Sequence, residues 1–203
     1  MGVGPWALGL VASSLALLLG LGLQSQPPEP LTYFIATGEP ETSYRPSDRQ
    51  LAVWALEAWA RNSGGALRLE PSDEERARVR VYWAAAGDGL YGEMRRLVVD
   101  GRPAAAVYVR PDTTALGPDI AELADNDPLV RETIVYLTCL HELGHALGLE
   151  HTADYRDIMY AFGYGGDIPE YFMRYRRQLR SRADIASTPG LSAGDIARLK
   201  SPM

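Results

Sequence analysis

All three histidines of this 203-residue chain lie in one window, residues 141–151, which reads H-E-L-G-H-A-L-G-L-E-H. The i, i+4 spacing of His141 and His145 puts both on one face of an α-helix, about 6 Å apart along its axis. Gly148 can adopt the positive φ that ends a helix and lets the chain turn sharply. That turn would bring His151 back toward the other two imidazoles. The window therefore predicts a helix followed by a tight reversal of the chain.

Three imidazoles that meet at one point are suitable ligands for zinc, with Zn–N distances of about 2.0–2.1 Å. They leave the fourth coordination position open, which is typical of a catalytic rather than a structural zinc site. Glu142 is offset by about 100° around the helix from its neighbour, so it would reach a water molecule at the metal but not the metal itself. This is the position of a general base. The alternative is a set of structural histidines, which the spacing of glycine and third histidine disfavours.

Composition excludes several other classes of protein. The formal net charge of −6 argues against a nucleic-acid partner, because such proteins normally carry a basic surface. The single cysteine, Cys139, excludes both an internal disulfide and a four-cysteine zinc site. Cys139 lies about 160° around the predicted helix from His141. We expect it to be a small buried residue rather than a ligand.

The N-terminal residues are interpreted as an export or anchoring segment. Residues 7–23 are apolar except for two serines, and no basic residue precedes Arg45. This run is longer than a signal-peptide core of roughly 7–15 residues and slightly shorter than a membrane span of roughly 20. Residues 1–23 are therefore predicted to be a signal peptide or a membrane anchor, with a buried helix as the weaker alternative. Residues 24–30 form a proline-rich linker, and residues 31–203 one domain, secreted or anchored outside the cytoplasm.

Hydrophobic patterning predicts the elements of that domain. Strands are expected at residues 31–35, 67–69, 78–83, 94–99 and 104–109. Asp100-Gly101 between the last two strands is typical of a β-hairpin. One helix should begin at Ser47 or Asp48, and a long one at Asp127–Pro128, while residues 111–126 are interpreted as a loop. The predicted fold is an α/β or α+β domain with a five-stranded mixed sheet, mostly parallel with one antiparallel edge strand, two long helices and a C-terminal helical subdomain.

A further motif, Asp-Ile-Met-Tyr at residues 157–160, follows the third histidine. A lone methionine is more often a core residue, but here Met159 is positioned to form a turn beneath the metal. The zinc motif of residues 141–151 and the Met159-Tyr160 turn together resemble those of the metzincin metallopeptidases, most closely the matrixin, or matrix metalloproteinase, family. Weaker similarity runs through most of residues 31–200.

The resemblance implies a metzincin-like catalytic domain that acts on peptide or protein substrates. We expect the protein to be a monomer. It implies that one catalytic zinc ion is bound by His141, His145 and His151, that Glu142 is the general base, and that Gly148, Met159 and Tyr160 support the site. The strand at residues 94–99 would be the edge along which an extended peptide aligns.

The chain also departs from the family pattern. With only three histidines, the second, structural zinc ion of that family is not expected, and the acidic residues do not identify its calcium sites. With only Cys139 present, control by a propeptide cysteine is not expected either. Ala161 stands where the family usually has proline. Phe162 and Tyr164 are alternative candidates for the wall of the substrate pocket, so the substrate-binding residues stay unassigned.

The largest departure is the arginine-rich segment, residues 168–186, which has five arginines against two carboxylates. Tyr171, Tyr175 and Leu179 could share one helical face. One interpretation is a solvated surface helix. The other is a basic rim beside the cleft that selects acidic substrates or contacts anionic lipid.

The sequence thus predicts a zinc-dependent endopeptidase in which Glu142 activates a zinc-bound water to hydrolyse peptide bonds. The alternative function is a zinc-stabilised, catalytically inactive binding module associated with a membrane through residues 1–23. The intact glutamate favours the enzyme, because a purely structural site does not need that carboxylate.

Overall fold

A computed structural model describes residues 1–2, 29–85 and 91–200 of the chain. The strands are β1 (Leu31–Ile35), β2 (Leu69–Pro71), β3 (Val79–Trp83), β4 (Gly92–Val99) and β5 (Arg102–Val109). The helices are α1 (Asp48–Asn62), α2 (Pro118–Asn126), α3 (Pro128–Ala146), α4 (Ile168–Arg176) and α5 (Ala193–Lys200). Nearly all of the predicted export or anchoring segment lies outside the described residues. Within the described ranges, no helix is both long and apolar enough to cross a membrane.

The five strands form one mixed sheet in the order β2-β1-β3-β5-β4. Neighbouring strands are parallel except for the edge strand β4, which pairs antiparallel with β5. The turn between these two has positive φ at both Asp100 (50°) and Gly101 (73°), as a tight hairpin requires. The predicted mixed sheet with one antiparallel edge strand is confirmed. Strand β2 lies two residues further along the chain than predicted.

Helices α1 and α3 pack against each other and cover one face of the sheet. The fully buried ring of Trp59 in α1 donates a hydrogen bond of 2.9 Å to the carbonyl of Leu140 in α3. A buried ion pair also joins the two helices, because both guanidinium nitrogens of Arg131 lie 2.8 Å from the carboxylate of Asp48. Truncating a buried tryptophan costs about 3–5 kcal/mol, so the interface between these helices fixes α3 firmly in place.

Helix α3 begins as predicted. The side chain of Asp127 accepts a hydrogen bond of 3.0 Å from the backbone N–H of Leu129, and Pro128 occupies the first helical position. Cys139 on this helix is buried, which confirms the expectation that it is a small core residue. Removal from water raises the pKa of its thiol.

The interpretation of residues 111–126 as a loop is wrong for its second half, which forms α2. The helix starts after Gly117, whose φ is 101°, with Pro118 in its first turn. Ile120 is buried and Leu123 partly buried, so one short apolar stripe holds the helix on the core. A nine-residue helix offers only two turns of periodicity, which is too little to stand out from a loop in the sequence.

The arginine-rich segment is divided between α4 and a short 3₁₀ turn, so no single helix spans it. Tyr171 and Tyr175 are buried on α4, and Leu179 is buried beyond its end. Among the described residues, four of the five arginine side chains contact protein groups: Arg174 lies over the Tyr171 ring, Arg176 bonds Asp127, Arg177 bonds Glu170 and Arg182 bonds Glu132. Arg176 and Arg182 therefore connect the segment to α3 and its cap, whereas the exposed pair Arg177–Glu170 lies within the segment itself.

Candidate metal site and substrate cleft

The three histidines predicted as metal ligands lie together at the end of α3. The Nε2 atom of His151 is 3.2 Å from that of His141 and 3.1 Å from that of His145. Nitrogen ligands placed tetrahedrally at about 2.0–2.1 Å from zinc would be about 3.3 Å apart. The observed spacing therefore suits a single zinc ion, and the histidines form a cluster that could hold a metal.

The hydrogen bonds of the imidazoles support the same conclusion. Nδ1 of His141 lies 2.7 Å from the carbonyl oxygen of Ile158, and Nδ1 of His145 lies 2.7 Å from that of Leu149. A carbonyl oxygen only accepts, so each Nδ1 carries the proton and each Nε2 keeps its lone pair free for a metal. Burial lowers the pKa of His141 to about 4, which keeps this ring neutral at pH 7 as metal binding requires.

The predicted chain reversal positions the third histidine. Helix α3 ends at Ala146, and Gly148 has φ of 90°. The N–H of Gly148 donates to the carbonyl of His145 at 2.9 Å, and the N–H of Leu149 donates to the carbonyl of Gly144 at 3.0 Å. These bonds close the last turn of the helix and direct the following residues back along it.

Met159 packs directly against the helix that carries the first two histidines. It is fully buried, and a β-carbon added at Gly144 would overlap its sulfur. The carbonyl of Met159 accepts a hydrogen bond of 2.8 Å from the N–H of Thr152, next to the third histidine. Tyr160 is also buried, and its hydroxyl donates to the carbonyl of Gly165 at 2.7 Å. The methionine turn thus packs on α3 at Gly144, next in the chain to His145.

The residue that holds this turn was missed by the sequence reasoning. Asp195 of α5 is fully buried, and its carboxylate accepts a hydrogen bond of 2.9 Å from the N–H of Ile158. It also accepts bonds of 2.9 Å from the N–H of Ser192 and from Arg198. The Ser192-x-x-Asp195 spacing signals a helix N-terminus. Nothing local indicates the contact with Ile158, 37 residues away.

Glu142 lies in the cleft between α3 and the edge strand. Its side chain is nearly buried, and burial, helped by the nearby Glu93, raises its carboxyl pKa to about 7. Gly92, the first residue of β4, faces it so closely that an added β-carbon would lie 2.5 Å from Glu142 Cγ. The absence of a side chain at position 92 therefore makes room for the glutamate. Sequence reasoning missed this residue as well.

A cavity of about 560 Å³ opens beside the histidines and Glu142. Most of its wall is apolar, with contributions from Tyr91, Leu116, Leu137, Phe162, Ile168 and Phe172. Of the two candidates for the pocket wall, Phe162 lines this cavity. Tyr164 is not part of the lining and is 65% exposed. The site therefore combines metal-competent polar groups with a mostly apolar cavity wall that could receive a large side chain.

A sheet whose antiparallel edge strand borders the cleft, with a histidine-bearing helix above a methionine turn, defines a metzincin-type catalytic domain. The sequence profile of the matrixins, a family of zinc metallopeptidases, matches residues 25–169. The chain belongs to the matrixin family, which confirms both the resemblance and the predicted fold. A comparison with curated proteins finds no match.

Proposed function

We propose that this protein is a zinc-dependent endopeptidase in which His141, His145 and His151 hold one zinc ion and Glu142 is the general base. The observation that carries the proposal is the convergence of three Nε2 atoms, 3.1–3.2 Å apart in the two measured pairs, beside a buried carboxyl group. Gly148, Met159 and Tyr160 would support this arrangement by shaping the turn and packing beneath it.

The chemistry is divided between the metal and the glutamate. A bound zinc ion would supply a Lewis acid that polarises the scissile carbonyl and acidifies water. Glu142 would accept a proton from the attacking water and then deliver it to the nitrogen of the leaving amine as the C–N bond breaks. A carboxyl pKa of about 7 suits this double role, since the group can both take up and release a proton near neutral pH.

The cleft also suggests how a peptide would bind. Among the described residues, strand β4 pairs with β5 alone, so its outer edge can pair with an extended peptide. A peptide on this edge would pass Glu142 and direct one side chain into the apolar cavity of about 560 Å³. The volume of this cavity is in the usual range for ligand sites. We therefore propose that the enzyme cleaves a bond flanked by a large apolar residue.

The domain organisation remains part of the proposal. Residues 31–203 would be the catalytic domain, and residues 1–23 a signal peptide or membrane anchor that directs it outside the cytoplasm. We propose that the domain acts as a monomer with a single catalytic zinc ion.

The alternative, an inactive zinc-stabilised binding module, has less support. A purely structural metal site would gain nothing from Glu142. Burying this carboxyl group raises its pKa, and removing it from water costs stability. The close fit between Gly92 and Glu142 likewise favours a catalytic role for this carboxylate.

Incubating the zinc-loaded protein with a mixed peptide library, with and without a chelator, tests the proposal. Mass spectrometry should detect new peptide termini that vanish with the chelator and that have a large apolar residue beside the cut. A zinc-loaded, folded protein that produces no new termini would favour the binding module instead.

A further inference from the structure

A second cavity, here called the α4 cavity, is lined by residues of helix α4 and of the loop at residues 188–192, which leads into α5. Its volume is about 240 Å³. This is below the roughly 300–1,000 Å³ of sites for drug-sized ligands. Most of its exposed wall is polar, whereas the wall of the cavity beside the histidines is mostly apolar. The α4 cavity therefore suits a small polar ligand, and the proposed peptidase reaction does not use it.

Both charged residues that line the α4 cavity are arginines. Arg174 lies on α4, and Arg156 lies in the connection that follows the third histidine. No carboxylate belongs to the lining among the described residues. The chain as a whole has the opposite character, with a formal net charge of −6. A local excess of positive charge in a concave site favours an anionic ligand.

Arg174 is half-buried and forms no ion pair in the part of the chain that the structure describes. Its terminal nitrogens donate to the backbone carbonyls of Tyr155 and Arg156. Its guanidinium carbon lies 4.3 Å from the centre of the Tyr171 ring. These contacts hold the group in place without supplying a negative charge. A partly desolvated guanidinium group with N–H donors to spare is a strong partner for an oxyanion.

The carboxylates near Arg174 are already paired with other arginines. Arg174 helps to lower the pKa of Asp154 and of Glu170, which shows that both lie within its electrostatic reach. Asp154, however, bonds Arg156, and Glu170 bonds Arg177. Arg174 is therefore the surplus cation of this group.

Arg156 lies on the open side of the cavity. Its side chain is 83% exposed, and it bonds the carboxylate of Asp154 at 2.7 Å. An exposed ion pair of this kind contributes little to stability, and a guanidinium group has five N–H donors. Arg156 can therefore contact an anion in the cavity without leaving Asp154.

The loop that lines the cavity adds backbone donors. Gly190 and Leu191 both belong to the lining, and their N–H groups make no hydrogen bond within the described ranges. Backbone N–H groups are obligatory donors, and an anion is the acceptor to which they bond most strongly. The α4 cavity thus combines two guanidinium groups with two free backbone donors.

We propose that the α4 cavity binds a small oxyanion, such as phosphate, through Arg174 and Arg156. This site is separate from the proposed peptidase centre and does not depend on peptide hydrolysis. Arg174 also holds the carbonyls of residues 155–156 and lies over Tyr171, whose hydroxyl donates to the carbonyl of Asp157 at 2.9 Å. A bound anion would therefore stabilise the connection between the third histidine and the methionine turn.

Thermal unfolding of the zinc-loaded, full-length protein in phosphate up to about 20 mM tests the proposal, with chloride keeping the ionic strength constant. A few charge-assisted hydrogen bonds at a partly open site correspond to a Kd of about 1 mM. The unfolding midpoint of the wild type should then rise by about 4–7 °C and approach saturation.

Two variants remove one guanidinium group each. Arg156→Gln should fold normally, because the side chain is exposed, and should weaken phosphate binding about 3–10-fold. Arg174→Gln should abolish the response to phosphate. If that variant does not fold, Arg156→Gln alone decides the outcome.

Arg177→Gln is the matched control. Arg177 directly follows α4, is exposed and pairs with a nearby carboxylate as Arg156 does, but it does not line the cavity. The substitution changes the net charge by the same amount, so Arg177→Gln should respond to phosphate as the wild type does.

A zinc ion is a competing site for phosphate, and the variants separate the two. A response that persists in Arg156→Gln and Arg174→Gln but disappears when zinc is removed would assign the anion to the metal and overturn the inference. The absence of a saturable response in the wild type, or equal responses in Arg156→Gln and Arg177→Gln, would also overturn it. Because no cleavage is measured, failure of this inference leaves the peptidase proposal untouched.

Discussion

The residues of the candidate metal site fall into a helix half and a turn half, which are held in place by different means. His141, Glu142 and His145 lie on α3, where the helix period alone sets their mutual positions. His151 and Met159 lie in the connection after α3, which has no long regular element of its own. This second half depends on Asp195 of α5, which accepts the N–H of Ile158 at 2.9 Å.

The difference shows that a local sequence motif can supply candidate ligands, whereas their arrangement in space also depends on contacts with residues distant in the chain. The helix half is stabilised by packing on α1 and by the buried pair Asp48–Arg131. The turn half is stabilised in part by hydrogen bonds from the N–H groups of Ile158 and Met159 to the buried carboxylate of Asp195, far along the chain. Damage to the first should weaken the fold, whereas damage to the second should also loosen the metal site.

The largest effect in this comparison is expected for Asp195→Ala. The N–H groups of Ile158 and Ser192 would lose a buried acceptor, at a cost of about 1–3 kcal/mol each, so the free energy of unfolding should fall by about 2–6 kcal/mol. Zinc affinity of the folded fraction should fall about 10–100-fold, as is usual when a group behind the ligands is removed. Chemical denaturation and competitive zinc titration measure the two quantities.

Arg131→Ala is the counterpart in the helix half. It leaves the buried carboxylate of Asp48 without its partner and should cost about 3–5 kcal/mol of stability. Zinc affinity measured under conditions where the variant is folded should remain that of the wild type. Equal losses of zinc affinity in the two variants would remove the distinction between the halves.

A smaller effect, confined to catalysis, is expected for Gly92→Ala. The new β-carbon would lie 2.5 Å from Glu142 Cγ, so the carboxyl group must move. A displacement of about 1 Å can cost 10²-fold in rate, and we expect kcat/KM to fall about 10–100-fold with the zinc content unchanged. Steady-state kinetics and metal analysis on the same sample check this.

A double-mutant cycle with Glu142→Asp tests the cause of that loss. The shorter side chain withdraws from position 92, so Gly92→Ala should have much less effect in the Glu142→Asp background. Additive effects of the two substitutions would mean that residue 92 acts in some other way.

The smallest effect concerns acid stability of the turn half. Burial opposes ionisation of Asp157, but hydrogen bonds from Ser192, Thr152 and Arg198 outweigh it and hold its pKa below the ordinary value. A lowered pKa means that ionised Asp157 stabilises the fold above about pH 4 and that this contribution is lost as the pH falls through the folded-state pKa. The contribution is expected to be about 1 kcal/mol or less, because Arg198 is partly exposed.

Denaturant unfolding of the wild type and Asp157→Asn between pH 6 and pH 3 measures this contribution. The variant should lose less stability on acidification than the wild type. Parallel pH curves would show that Asp157 adds nothing to the acid dependence.

The helix half was predictable from sequence and the turn half only in part. Spacing alone placed His141 and His145 on one face of α3 with Glu142 beside them, and Asp127-Pro128 marked the start of that helix. The contribution of Asp195 was hidden, because it depends on a contact across 37 residues. The fit of Gly92 against Glu142 was hidden for the same reason, since the sequence does not indicate how closely two elements approach.

The apolar end of the cleft was the least predictable region. The aromatic Phe162 and Tyr164 are alike in the sequence, yet the cavity is lined by Phe162 and not by Tyr164. Leu116 gave no signal, because it precedes a helix too short to be recognised from its pattern. Such choices depend on packing between segments distant in the chain.

The most direct test of the central claim compares the wild type with Glu142→Gln, measuring zinc per chain and cleavage of one good peptide in the same preparations. Both proteins should contain one zinc ion per chain, because the glutamate is not a ligand. The variant should cleave about 10²–10⁴-fold more slowly, the usual contribution of a general base. Wild-type cleavage by the zinc-loaded variant, or a folded wild type that binds no zinc, would contradict the account.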